Sequence, residues 1–205
     1  MKLHWSSRSP FVRKVMVAAH ETGLADRIER IPTLVGLAIA NREILARNPL
    51  GKIPALVLED GTMLFDSGVI CEYLDGLHDG PKLFPPSGPA RIAALRRQAL
   101  GTGYCGMLVL WRSEQAREAP SAAILEGFAR KHAAVLAVLA ALEAEAPALA
   151  ATPFGIGHIA IGCALSYLDF RFAALGWRAG CPRLAEWHAG FCARPSVRAT
   201  EHVDA

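Results

Sequence analysis

Two predicted helix starts carry the polar groups best suited to binding an anion or a thiolate. Ser9 precedes Pro10, which the first turn of a helix tolerates, so the pair predicts an N-cap and first helical residue. Asp66 and Ser67 precede a second apolar helical pattern. A helix N-terminus offers unpaired N–H groups and positive potential, so it can bind a carboxylate or lower the pKa of a thiol. Both pairs also fit ordinary helix caps, and the residues alone do not decide between these roles.

A third polar segment lies between them, at Lys52, Ile53 and Pro54. Pro54 opens an apolar run, where a missing N–H is harmless, and an exposed lysine in a turn is usually only solvated. The histidines show no metal-ligand spacing, so we expect no metal. GxGxxG and Walker A patterns are absent from the sequence.

The first 80 residues alternate strand and helix signals, which predicts an α/β unit of order β-α-β-α-β-β-α. The predicted strands are 2–5, 26–32, 53–58 and 63–65, with helices from Ser9 to Gly23, from Ala38 to Arg47 and from Asp66 onward. Pro81, Pro85, Pro86 and Pro89 predict a linker. We therefore expect one domain over residues 1–80 and a second over 86–205.

The second domain shows only helical periodicity and is predicted to be all-α. The predicted helices are 90–116, 122–144, 153–175 and 183–191. Three glycines interrupt the first of them, Gly101, Gly103 and Gly106, which indicates a close approach by a ligand or a partner helix, or a kink. Tyr104, Met107 and Trp111 could line a pocket, although a core role is favoured slightly.

Composition excludes several classes of protein. The chain has 205 residues, 52% of them hydrophobic, and a net charge of +3, which is typical of a globular protein without the basic surface of a nucleic-acid binder. Residues 1–9 contain no apolar stretch of signal-peptide length, so we expect no secretory signal. The uncharged run from Ala146 to Leu168 is interrupted by prolines and glycines. Five cysteines without a CxxC pair fit reduced thiols. We expect a cytoplasmic protein that binds neither nucleic acid nor membrane.

Three segments resemble signatures of the cytosolic glutathione transferases. They are SPFVRKV from Ser9, NPLGKIPAL from Asn48 and DSGVICEYL from Asp66, in the order and spacing of small bacterial members. Residues 159–165 and 167–171 of the helical half also fit. The resemblance covers nearly the whole chain and implies a thioredoxin-like domain followed by a helical bundle, usually in a homodimer.

The resemblance implies roles for the polar segments. Ser9 would stabilise the thiolate of glutathione, with Ser6 and then Ser7 as alternatives. The Ile53–Pro54 bond would be cis, and the backbone of Ile53 would pair with the cysteinyl part of the ligand. Asp66 and Ser67 would hold the γ-glutamyl amine and carboxylate. Lys52 could reach the glycyl carboxylate, although members of the family often bind that end from the second helix, here within residues 35–47.

The function implied is a detoxifying transferase that joins the glutathione thiolate to a small electrophile, with glutathione as co-substrate and no metal. Two alternatives stay open: a glutathione-binding protein without catalysis, and a glutathione-dependent disulfide or peroxide reductase.

One departure from the family pattern lies at Gly155 and His158, where relatives carry a Ser/Thr-x-x-Asp capping box. We expect Gly155 and His158 not to reproduce the reciprocal bonds, and Thr152 with Pro153 to start the helix instead. On this reasoning, Gly155→Ser together with His158→Asp would raise the melting temperature.

Overall fold

The computed structural model describes residues 1–36, 41–116 and 122–204. Its N-terminal part has the predicted order β-α-β-α-β-β-α. The strands are β1 (Lys2–Trp5), β2 (Glu29–Pro32), β3 (Ala55–Val57) and β4 (Met63–Leu64). The helices are α1 (Pro10–Glu21), α2 (Arg42–Leu45) and α3 (Ser67–Asp75).

The four strands form one mixed sheet in the order β2-β1-β3-β4. Strand β1 runs parallel to β2 and antiparallel to β3, and β4 runs antiparallel to β3. The C-terminal ends of β1 and β4 therefore lie at the same end of the sheet as the N-terminal end of β3. Each of the three predicted polar segments joins a strand at this end.

Two of the predicted elements in this part have different bounds. The strand expected from Asp26 starts at Glu29, because Ala25–Arg27 form a 3₁₀ turn. The helix expected over residues 38–47 is described only from Asn41 onward, and residues 38–40 lie outside the described part. Its helical portion is α2, which Asn41 caps by accepting the Ile44 N–H at 3.1 Å.

The rest of the described chain is helical, as predicted. Its helices are α4 (Gly88–Gln115), α5 (Ala122–Ala151), α6 (Ile156–Phe172), α7 (Pro182–Cys192) and α8 (Pro195–Arg198). Helix α6 is buried almost throughout and packs mainly against α4. Apolar side chains of α6 and α7 also join the core beneath the sheet, so the two halves share buried surface. The division into domains at residues 80–86 stays a prediction.

The prediction for the helical half was wrong in three places. Helix α5 continues through Pro147 to Ala151 instead of ending at residue 144, because Leu142, Ala146 and Leu149 remain buried against the core across the proline. Helix α6 starts at Ile156 and not at residue 153. The short helix α8 was not predicted.

Helix α5, and the helical segment Ile156–Leu175 that contains α6, are both long and apolar enough to cross a membrane, judged by length and composition. Helix α6 is a core helix, with 67% of its most apolar window buried. Only 28% of the corresponding window of α5 is buried, and many of its exposed positions are alanine. The absence of a membrane partner stays a prediction.

Of the three α4 glycines at which a close approach was expected, one, Gly101, lies against another helix of the same chain. A Cβ added to Gly101 would lie 2.4 Å from the carbonyl carbon of Ala160 in α6, so glycine lets the two backbones meet. Gly103 and Gly106 face open space. Tyr104 and Trp111 are core residues, 1% and 6% exposed.

The start of α6 differs from the expectation. Gly155, not Thr152, is the N-cap residue, and His158 supplies half of a capping box, because its Nδ1 accepts the Gly155 N–H at 3.1 Å. The Leu83 carbonyl accepts the Ile156 N–H at 3.0 Å, and a Cβ on Gly155 would lie 2.6 Å from that oxygen. This contact argues against the expected stabilisation by serine at position 155, because a Cβ there would have to displace the Leu83 carbonyl.

We predict that Gly155→Ser lowers the melting temperature, because the added side chain must displace the Leu83 carbonyl from its hydrogen bond. Differential scanning calorimetry measures the change. The control is Gly190→Ser, since Gly190 lies in α7 with nothing within 4 Å of an added Cβ, and its replacement should leave stability equal or higher. A higher melting temperature for Gly155→Ser would contradict the assigned contact.

Candidate functional site

The three predicted polar segments meet at one end of the sheet. Ser6 comes directly after β1, Ile53 lies just before β3, and Asp66 and Ser67 follow β4. Neighbouring strands lie about 4.8 Å apart and β3 lies between β1 and β4, so these two outer strands are about 10 Å apart. An extended tripeptide is also about 10 Å long, at about 3.3 Å for each residue.

Ser9 is the N-cap residue of α1, as predicted. Its Oγ accepts the Val12 N–H at 3.3 Å, and its own N–H donates to the Ser6 carbonyl at 3.3 Å. The hydroxyl proton of Ser9 has no acceptor among the described residues. It is therefore available to a ligand at the positive end of α1.

The two alternative serines differ in what they can donate. The Ser7 hydroxyl donates to the Val203 carbonyl at 2.8 Å, so its proton is already used. The Ser6 Oγ accepts the Arg8 N–H at 3.4 Å and keeps its proton. Geometry thus favours Ser9 and Ser6 over Ser7, and the role of each in thiolate binding stays a prediction.

The Ile53–Pro54 bond is cis, as the resemblance implied. Asn48, 1% exposed, braces the preceding turn, because its Nδ2 donates to the Lys52 carbonyl at 2.9 Å and its Oδ1 accepts the Leu50 N–H at 3.0 Å. Neither the N–H nor the carbonyl of Ile53 has a backbone partner among the described residues. The Lys52 side chain is exposed and forms no ion pair within the same part of the chain.

Asp66 and Ser67 start α3, as predicted. Asp66 is the N-cap residue, and its Oδ1 accepts the Gly68 N–H at 2.8 Å. The Asp66 side chain is exposed, whereas Ser67 is 1% exposed. The Phe65–Asp66 bond is also cis.

Lys14, for which the sequence pattern predicts no role, lies directly behind this helix start. Its ammonium donates to the Ser67 Oγ at 3.4 Å and to the Thr102 Oγ1 at 3.2 Å, and it is 2% exposed. Within the described residues, no carboxylate lies within 4.0 Å of it. The signal in the sequence was a charged residue on the apolar face of α1, but its partners in α3 and α4 could not be read from spacing.

The ammonium makes the start of α3 a stronger anion site. A buried charge without a counter-ion is costly, and its field is weakly screened. An anion at the N-terminus of α3 would meet the free N–H groups of that helix with the positive charge of Lys14 behind them. This segment is therefore suited to a carboxylate.

A cleft of about 640 Å³ opens on the other side of the β1–α1 loop. We call it the tail cleft, because residues 199–203 form one of its walls. Its lining comprises Trp5, Ser6, Ser7, Arg8, Arg13, Met16, Arg30, Pro32, Thr33, Leu34, Ala199, Thr200, Glu201 and Val203. Ser9, Lys52, Ile53, Asp66 and Ser67 lie outside this lining. The cleft therefore adjoins the polar segments through residues 6–9 of the β1–α1 loop, which we call the serine loop.

The C-terminal tail is fixed to the serine loop by specific bonds. His202 Nδ1 lies 3.0 Å from the Ser7 carbonyl, and Asp204 accepts two bonds from the Arg171 guanidinium at 2.7 and 2.8 Å. Burial, and next the positive charge of Arg13, lower the pKa of His202 to about 4. The ring is therefore neutral at pH 7, with Nδ1–H donating to Ser7.

The cysteines supply no reactive group to this site. All five are free thiols, and four of them are buried. Burial raises the pKa of Cys71 to about 12 and that of Cys163 to about 11, and it also raises the pKa of Cys105. Thiols with such pKa values stay protonated and are poor nucleophiles at pH 7.

No group of three or more possible metal-ligating residues was found in residues 1–36, 41–116 and 122–204. The expectation that the protein uses no metal stays a prediction.

Comparison with protein families gives two matches. Residues 8–77 match the glutathione S-transferase N-terminal domain and residues 122–190 match the glutathione S-transferase C-terminal domain. The chain is also 32% identical over 204 residues to the uncharacterised GST-like protein YibF of Escherichia coli K12, with 98% of each chain covered.

Solved structures give the same result. A glutathione transferase family member from Pseudomonas fluorescens Pf-5, crystallised with bound glutathione, is 42% identical, with a TM-score of 0.91 and 98% of each chain covered. A second structure from that organism contains S-(propanoic acid)-glutathione and gives a TM-score of 0.87 at 42% identity, covering 99% of this chain and 100% of the other.

We predict that the protein loses stability as the pH falls from about 6.5 to about 4. The pKa of histidine is near 6.5 in an unfolded chain but about 4 for His202 in the folded protein. Between these values the unfolded state binds a proton that the folded state does not, so the free energy of unfolding decreases as the pH falls. Urea denaturation at pH 7 and pH 5 measures the loss. His202→Gln should reduce this loss of stability. Part of the loss that remains should come from His188, because burial lowers its pKa to about 4 as well. The matched control is His20→Gln, because His20 is exposed, and it should leave the loss of stability unchanged. An equal loss in the wild type and in His202→Gln would show that His202 does not contribute to it.

Proposed function

The chain belongs to the glutathione S-transferase family, and we propose that it is an enzyme that transfers the thiolate of glutathione to an electrophilic small molecule. One observation carries this proposal: the serine loop, Ile53 and the start of α3 adjoin three strands at the same end of the sheet, where β1 and β4 are separated by about the length of an extended tripeptide. One relative at 42% identity was crystallised both with glutathione and with an S-substituted glutathione, which supports this ligand.

The start of α3 would hold the γ-glutamyl end of glutathione. The γ-glutamyl α-carboxylate would accept bonds from the N–H and hydroxyl of Ser67, with the Lys14 ammonium behind them. The exposed Asp66 carboxylate would meet the neighbouring α-ammonium. An acid next to an anion site fits a ligand group that carries both charges.

The middle and the other end of the ligand would be held by the segment before β3. The unpaired N–H and carbonyl of Ile53 would bond to the cysteinyl backbone in the manner of an added strand. Lys52, exposed in the same segment, would reach the glycyl carboxylate.

The sulfur would then lie near the start of α1. The Ser9 hydroxyl would donate to the thiolate, and the helix N-terminus would favour its negative charge. The sulfur is the nucleophile, and the protein supplies orientation and a lower thiol pKa. No further cofactor is needed.

The two alternative functions predict different results. A reductase acting through its own cysteine would need a thiol in the serine loop, which carries Ser6, Ser7 and Ser9 instead. A binding protein without catalysis would give a glutathione titration signal by calorimetry and no conjugate with a panel of electrophiles. We propose transfer, so both binding and conjugate formation are expected; binding without conjugate would contradict it.

We also propose that the protein is a cytoplasmic homodimer with a role in detoxification. Apolar side chains exposed on α4 and α5 support a contact between copies; they include Ile92, Leu110, Leu125 and Leu136. Light scattering should give twice the mass of one chain, and a monomer would contradict this part.

We predict that Ser9→Ala raises the pKa of bound glutathione by about one unit and lowers kcat/KM at pH 7 about tenfold, through the loss of one hydrogen bond to a charged group. The pH dependence of the conjugation rate measures the pKa of the bound thiol. The same substitution also removes the N-cap of α1 and should lower the free energy of unfolding by about 1 kcal/mol, which does not move this pKa. Ser7→Ala is the matched control, because the Ser7 proton is already donated to Val203. Identical pH profiles for wild type, Ser9→Ala and Ser6→Ala would exclude a hydroxyl mechanism.

We predict that Lys14→Met weakens glutathione binding about tenfold, because a weakly screened positive charge is removed from behind the γ-glutamyl carboxylate. The free energy of unfolding should not fall, since methionine fills similar space without a buried charge. Calorimetric titration and urea denaturation measure the two quantities. Unchanged affinity together with lower stability would assign Lys14 a purely structural role.

A further inference from the structure

The charges that line the tail cleft are mostly positive. Three arginines contribute to its walls, Arg8, Arg13 and Arg30, against one carboxylate, that of Glu201. Arginine keeps its charge at every physiological pH, and its planar guanidinium matches a carboxylate. The cleft therefore presents net positive charge beside the serine loop.

Arg13 is the most unusual of the three, because it is a buried cation without a carboxylate. It is 7% exposed, and within the described residues it forms no ion pair. One Nη donates to the Val197 carbonyl at 3.2 Å, while the buried Nε–H has no partner. A buried guanidinium with an unsatisfied donor is costly, and an anion in the cleft would reduce that cost.

Arg8 and Arg30 place two further charges at the edge of the cleft. Both are exposed, and neither lies within 4.0 Å of a carboxylate oxygen of the described residues, although the charge of Arg8 adds to the hydrogen bonds from Arg171 in lowering the pKa of the Asp204 carboxyl. The Arg30 guanidinium lies 5.7 Å from the centre of the Trp5 ring, which favours a fixed position for it. Arg171, near the same tail, is by contrast neutralised by the two oxygens of Asp204.

The remaining walls are apolar and suit a small carbon skeleton. Trp5, Met16, Leu34 and Val203 contribute them, and the volume of about 640 Å³ falls within the range of small-molecule sites. The cleft thus combines an apolar wall, unpaired guanidinium groups and a border with the serine loop.

We propose that the tail cleft binds the electrophilic substrate and that this substrate carries a carboxylate. The proposal rests on the function proposed above. Arg8 and Arg30 would hold the carboxylate, Arg13 would strengthen the positive field beneath it, and the electrophilic carbon would point toward the serine loop. With a 2-halocarboxylate, the thiolate lone pair forms the C–S bond while the carbon–halogen bond breaks, and the halide leaves with the bonding electrons.

The experiment compares chloroacetate with chloroacetamide, two acceptors of similar size with the same leaving group, of which only the first carries a negative charge. The conjugate of each with glutathione is measured by mass spectrometry, and each kcat/KM is divided by the rate constant of the uncatalysed reaction. The resulting acceleration should be at least about tenfold larger for the carboxylate, since about 1.4 kcal/mol of binding gives a factor of ten. The intact mass of the protein is recorded to correct for alkylation of Cys192, the one cysteine that is partly exposed.

Variants test which residues produce the preference. Arg30→Gln and Arg8→Gln should each lower the ratio of the two accelerations about tenfold, while Arg30→Lys, which keeps the charge, should restore part of it. Arg27→Gln is the matched control, because Arg27 is an exposed arginine outside the cleft and its loss changes the net charge equally. Its ratio should equal that of the wild type.

The outcomes separate this inference from the proposed function. Equal acceleration of the two acceptors would overturn the carboxylate site. So would a preference for the carboxylate that falls as much in Arg27→Gln as in Arg30→Gln. Either result would leave the transferase proposal standing. Failure to bind glutathione, or no conjugate with any acceptor in the panel, would overturn the proposed function itself.

Discussion

The antiparallel pairing of β3 with both β1 and β4 determines where every residue of the candidate site lies. It brings the end of β1, the start of β3 and the end of β4 to one end of a four-stranded sheet. Helices α1 and α3 begin there, so two helix N-termini and one unpaired backbone segment face the same region. A shift of register by one residue would reverse which side chains face the core, so the buried face of the sheet fixes this arrangement.

A buried positive charge lies on each of two sides of the serine loop. On one side, the Lys14 ammonium lies behind Ser67 with no carboxylate of the described residues within 4.0 Å. On the other, the buried Arg13 shares the tail cleft with two exposed arginines. Both buried cations are costly in the isolated chain. Anionic ligands on the two sides would offset that cost, and a thiolate formed between them would meet its acceptor.

The sequence predicted the parts of the molecule that depend on local patterns. The element order, the caps at Ser9 and Asp66 and the cis Ile53–Pro54 bond were all expected, the last from family resemblance. Contacts between distant segments were not predictable. The Leu83 carbonyl explains why residue 155 is glycine, and the buried residues beyond Pro147 explain why α5 does not end there. Both are tertiary effects that override local propensity.

A crystal structure of the protein with glutathione would test this arrangement most directly. We expect the γ-glutamyl carboxylate to lie at the N-terminus of α3 against Ser67, the cysteinyl backbone to pair with Ile53, and the sulfur to lie within hydrogen-bond distance of the Ser9 or Ser6 hydroxyl. Glutathione bound elsewhere on the protein, or bound here with its sulfur away from both hydroxyls, would contradict it.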